Sequence, residues 1–78
     1  MGRWRITVTA ASAPAATSVL AKLARFEGAA VDSGDTGIRT TFVLEASSVK
    51  RAYRAALVIF EMAASKAAIE AITIERLQ

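Results

Sequence analysis

The sequence predicts an α+β domain with four strands and two helices in the order β-α-β-β-α-β. Three observations carry that expectation. Apolar and polar side chains alternate over stretches at the start, middle and end of the chain, as in strands with one covered face. Two intervening stretches repeat apolar residues every three or four positions, the spacing of an amphipathic helix. The 78 residues, with no linker or repeat dividing them, make one small domain spanning residues 1–78.

The first strand is carried by Trp4, Ile6, Val8 and Ala10, which alternate with Arg5, Thr7 and Thr9. Ser12 is then placed to cap a helix, and Pro14 falls in the first turn, where a missing N–H costs nothing. Ala16, Val19, Leu20, Leu23 and Phe26 give that helix an apolar face, so it is expected over about residues 14–27, with Gly28 as its left-handed terminator. A short strand over Ala29–Asp32 leads into the loop Ser33-Gly34-Asp35-Thr36-Gly37, whose composition is that of a hairpin turn. Ile38, Thr40, Phe42 and Leu44 alternate with Arg39, Thr41, Val43 and Glu45 in the third strand. Ser47 or Ser48 caps the second helix. Its stripe is read as Val49, Tyr53, Ala56, Phe60, Ala63, Ala64 and Ala67, continuing to about Ala68. Ala71 to Glu75 alternates again as a terminal strand.

Two right-handed βαβ units joined by a hairpin build a two-layer sandwich, with an antiparallel sheet in the order 4-1-3-2 and two helices on one face. That plan resembles the ferredoxin-like fold, and the resemblance is one of architecture over the whole chain. It implies no activity, because the fold hosts unrelated functions. The loop Ala11-Ser12-Ala13-Pro14 lacks the arginine of acylphosphatase anion loops and the Cys-x-x-Cys of heavy-metal-binding domains. Trp4 and Phe42 share the parity of the core residues, which leaves no aromatic platform for RNA on the open face.

Composition excludes much chemistry. The chain has no Cys, no His and no Asn, and its one Gln is residue 78. Without Cys there is no disulfide framework, thiolate metal site or cysteine nucleophile. Without His, Ser–His–Asp catalysis is excluded and the commonest zinc ligand is missing. No cofactor is expected. Asp32 and Asp35 lie in a turn without the spacing of a calcium loop, so no metal is expected either. Catalysis at an oligomer interface would fall to Glu45, Lys50 or Tyr53, each of which reads more simply as a surface residue. The longest run of purely apolar residues, Ala55 to Phe60, is far short of a membrane span, so a soluble, cytoplasmic protein is expected. Alanine accounts for eighteen of the 42 hydrophobic residues, a usage expected of a GC-rich bacterial genome. An alanine-rich core in so small a domain contributes little burial energy, so self-association would add stability.

Two surfaces stand out. At the amino end of helix two, Ser47, Ser48, Lys50, Arg51 and Arg54 gather where free backbone N–H groups and the helix dipole already favour anions. Strands one and three are expected to run parallel, so that the Ser12 loop opens beside these residues and a phosphate or carboxylate fits between. On the outer side of helix two, Arg51, Ala55, Val58 and Met62 form a second stripe facing away from the core. Val43 and Leu77 add apolar surface to the open sheet face, which also carries Arg3, Arg5 and Arg39. The function expected from this is a small non-enzymatic interaction domain, a homodimer or accessory subunit. The alternatives are a small-ligand or anion-binding regulatory domain using the amino end of helix two, and a weak nucleic-acid binder using the basic surface, with a modest net charge of +3.

Overall fold

The computed structural model describes residues 2–11, 15–34 and 37–77. Six elements follow in order: β1 (Gly2–Ala11), α1 (Ala16–Leu23), β2 (Glu27–Ser33), β3 (Gly37–Ala46), α2 (Val49–Ala63) and β4 (Ala68–Arg76). The strands form one antiparallel sheet in the order β2-β3-β1-β4, which fits the expected 4-1-3-2 read from the opposite edge. Both helices pack into a single core cluster with the sheet, giving an α+β sandwich.

The alternation in β1 and β3 translates directly into burial. Ile6, Val8 and Ala10 from β1 and Ile38, Phe42, Leu44 and Ala46 from β3 are buried, and Trp4 joins them while donating its indole N–H to the Ala46 carbonyl at 3.0 Å. That bond satisfies the one polar atom a buried tryptophan carries. Thr40 shares the core parity and is fully buried, yet its Oγ1 has no hydrogen-bond partner among the described residues. An unpaired buried hydroxyl costs roughly 1–3 kcal/mol in mutational data. Thr40→Val keeps the β-branched shape and removes the polar atom, so it is expected to raise stability by about 1 kcal/mol, read as a higher urea midpoint at unchanged slope.

Helix one is shorter than the expected 14–27. It ends at Leu23 because Glu27 already pairs with Val43 in the sheet, and only three residues remain to turn the chain. Phe26 therefore sits in that turn, its ring 5.6 Å from the Phe42 ring, rather than on the helix. The cap position is Ala15, with no side-chain bond; Ser12 and Pro14 lie outside the described residues. Leu20, expected in the core stripe, is 37% exposed, and Val19 and Leu23 alone are fully packed.

Gly28 has the left-handed φ of +66° anticipated for it, but for another reason. It lies within β2, where three steps from Glu27 to Ala30 face two steps from Val43 to Thr41. This is a β-bulge with glycine at its left-handed position, not a helix terminator. It lengthens β2 well beyond Ala29–Asp32 by returning the chain to the sheet at Glu27.

Helix two also stops early, at Ala63 rather than near Ala68. The Ala64 N–H closes on the Phe60 carbonyl at 2.7 Å, and Lys66 takes a positive φ of 70° to turn the chain into β4. The buried stripe is Ala52, Ala56, Phe60 and Ala63, with Ala64 just beyond the helix. Val49 and Tyr53, read from spacing as core, are 53% and 45% exposed. Val49 is the first residue of α2, and Tyr53 stands about 60° round the helix from Ala56, at the edge of the buried stripe. In β4 a second irregularity leaves Glu70 as an extra residue between Ala71, opposite Thr9, and Ile69, opposite Ala10. The strand extends three residues earlier than the Ala71 start read from alternation, which the bulge interrupts.

Candidate functional site

The expected anion site does not assemble. β1 and β3 are antiparallel, with Ala11 opposite Gly37 and Gly2 opposite Ala46. The loop that follows Ala11 therefore leaves from the end where β3 begins, whereas Ser47 and Ser48 follow the end where β3 finishes. A ten-residue strand, about 30 Å, separates the two. Ser12 itself lies outside the described residues, but its chain neighbour Ala11 is at the wrong end. A strand order of 4-1-3-2 with every neighbouring pair antiparallel cannot bring the two loops together. What remains is a capped helix start. The Ser48 hydroxyl accepts the Arg51 backbone N–H at 3.3 Å, and Ser47, Lys50, Arg51 and Arg54 are all exposed. Glu45 and Tyr53 are exposed as well.

The open face of the sheet is a self-contained polar ladder. Thr7 lies between Thr41 and Thr73, Arg5 pairs with Glu75 at 2.7 Å, and Arg39 is level with Asp32. Arg3 is bonded to Glu27. Val43 and Leu77, candidates for sheet-to-sheet contact, are half-buried: Val43 packs beneath the Gly28 bulge, and the Leu77 N–H donates to the Arg3 carbonyl at 2.8 Å. Cross-strand pairs of this kind stabilise a wet sheet face without any partner. Of Arg3, Arg5 and Arg39, the arginines on this face that could touch a nucleic-acid backbone, the first two are held by carboxylates of their own chain.

The helical layer is different in both charge and polarity. Six of the ten Lys and Arg residues lie in the helices and the turns that follow them: Lys22, Arg25, Lys50, Arg51, Arg54 and Lys66. One of the seven acidic residues, Glu61, lies there with them. On the same layer Val58 is 60% and Met62 69% exposed, the two most open large apolar side chains of the described residues. Ala55 and Ile59 are half-buried beside them. A cleft of about 270 Å³ runs between the helices, lined by Leu23, Phe26, Ile59 and Met62 and flanked by Lys22 and Arg25. The outer stripe of helix two read from sequence is therefore present on the surface, with Arg51 at its amino end.

The described residues contain no group of three His, Cys, Asp or Glu side chains able to hold a metal, and no helix long and apolar enough to cross a membrane. Compared with known proteins, the chain matches no family model, no curated protein and no solved structure.

Proposed function

We propose that this chain is a non-enzymatic interaction domain of ferredoxin-like architecture that works in association, as a homodimer or an accessory subunit. The supporting observation is the exposure of Val58 and Met62 on the outer side of α2, on a helix whose inner stripe is already packed. Large apolar side chains left side by side on a helix that has no further use for them in its own core mark a contact surface. The thin core points the same way. Three of the four buried residues of α2 are alanines, so burying the outer stripe against a partner would add apolar contact that the domain cannot supply internally.

Size-exclusion chromatography with light scattering at micromolar concentration is expected to give twice the protomer mass. Val58→Asp is expected to return a single-protomer mass that still unfolds cooperatively, at a lower midpoint than the dimer, because the side chain is 60% exposed in the protomer. A wild-type protein that stays monomeric up to the highest soluble concentration overturns the self-association reading.

The second reading, a domain that takes a small anion, rests on the concentration of cations in the helical layer. It keeps Ser47, Ser48, Lys50, Arg51 and Arg54 and gives up Ser12. Titration with inorganic phosphate, followed by amide chemical shifts at Ser48 and Lys50, separates it from the first: a flat titration removes it.

A further inference from the structure

Helix two carries, on its outer side, an arrangement that complements itself when the helix is turned end for end. We propose that two copies of the chain associate through α2 packed antiparallel against its counterpart about a twofold axis level with Val58. This rests on the self-association reading above and specifies its surface and register.

Residues seven apart on a helix lie within about 20° of the same line along it. Arg54 and Glu61 are such a pair, flanking Val58 on one side, four residues before it and three after. Ala55 and Met62 are another, flanking Val58 on the other side, three before and four after. In an antiparallel pair related by a twofold axis, residues on the same flank meet each other in reverse order. With Val58 against the partner's Val58, Arg54 falls beside the partner's Glu61 and Glu61 beside the partner's Arg54. On the opposite flank, Ala55 falls beside the partner's Met62, so the smallest apolar side chain of the stripe faces the longest apolar one. One register thus matches charge on one flank and size on the other.

The rest of the molecule is consistent with that register. Arg54 and Glu61 are exposed, and neither makes an ion pair in its own protomer among the described residues. The helical layer otherwise bears a strong excess of cations, so two such layers brought face to face repel unless the contact itself supplies opposite charge. Glu61 is the one acidic residue in that layer, and it sits where the partner's Arg54 arrives. The arrangement leaves both sheets on the outside, with their polar ladders in water, and closes as a dimer rather than extending into a filament.

Charge reversal tests the register. Arg54→Glu places like charges in both pairs of a homodimer, and so does Glu61→Arg. Each is expected to raise the dimer dissociation constant roughly tenfold, the scale of two surface pairs turned from attractive to repulsive. The two variants change the net charge in opposite directions, so a weakening common to both reports the local pairs rather than overall repulsion. Mixed together, one copy presents two carboxylates and the other two guanidiniums, and a heterodimer as tight as wild type is expected by light scattering and sedimentation. Thermal melts of the separate variants check that both remain folded. A wild-type dimer whose two variants form no tighter dimer when mixed than alone overturns the register and leaves self-association standing. A monomeric wild type overturns both.

Discussion

Phe60→Ala is expected to remove a large share of the domain's stability, about 3–5 kcal/mol. Phe60 is 1% exposed and is the one large side chain of α2 that is fully buried, its buried companions being Ala52, Ala56 and Ala63. Truncating a buried phenylalanine costs about 3–5 kcal/mol, part lost transfer energy and part residual cavity. A domain of this length holds roughly 4–12 kcal/mol of stability in total. The alanines cannot move in to fill the gap, since each already brings the helix backbone close to the sheet. Most of the attachment of α2 is therefore concentrated in one ring. Urea unfolding followed by far-ultraviolet circular dichroism checks this, with Val49→Ala as the exposed control on the same helix. A midpoint within experimental scatter of wild type would contradict the packing described.

Gly37→Ala is the second change expected to be severe. A Cβ built on Gly37 would lie 2.0 Å from the Ala10 carbonyl oxygen, 2.9 Å from its carbon and 3.1 Å from the Ala11 Cα. All three are backbone atoms of the neighbouring central strand, and none can swing aside as a side chain would. Relief requires β1 and β3 to separate at the position where Gly37 faces Ala11, beside the turn in which the Gly34 N–H bonds the Gly37 carbonyl at 2.8 Å. The expected loss is about 3 kcal/mol, at the upper end of overpacking costs, with amide exchange accelerating first at Ala10, Ala11 and the hairpin. Gly28→Ala provides the comparison. Its nearest neighbour would be the Val43 side chain at an ordinary 3.5 Å, and its penalty comes from φ +66° alone, about 1–2 kcal/mol. Denaturant melts should rank Gly37→Ala well below Gly28→Ala.

The parts of the fold legible in the sequence are those governed by simple periodicity. Trp4 to Ala10 and Ile38 to Leu44 alternate without interruption, and both strands lie where the alternation puts them. Element ends were less legible because they are set by tertiary pairing. Helix one could have continued through Phe26 by its own spacing, but Glu27 is needed opposite Val43. Gly28 marks a left-handed residue in any reading, and nothing local distinguishes a helix terminator from a bulge. Thr40 carried the parity of a core residue, yet its unpaired hydroxyl shows only once the neighbours are in place.

The candidate sites divide along the same line. The outer stripe of helix two follows from turning 100° per residue, and Val58 and Met62 are where that rotation leaves them. The anion site required strands one and three to run parallel, whereas β1 and β3 pair antiparallel. The relation between Arg54 and Glu61 was available in the spacing but had no meaning until both were found exposed and outside every ion pair described for the protomer.

The extra residue in β4 has a consequence for how the protein behaves when crowded. β4 ends the sheet, so one side of its backbone offers unclaimed donors and acceptors to any extended chain that drifts alongside. Ile72 and Ile74 would make such an adduct sticky. Glu70, standing out of step with β1, bends the rail at one end, while Glu75 and Arg76 set charges at the other. The usable straight length shrinks to about four residues, too little to seed a growing cross-strand stack. Excising Glu70 would straighten that margin, and the penalty would appear as turbidity in concentrated solution rather than as a lower melting temperature.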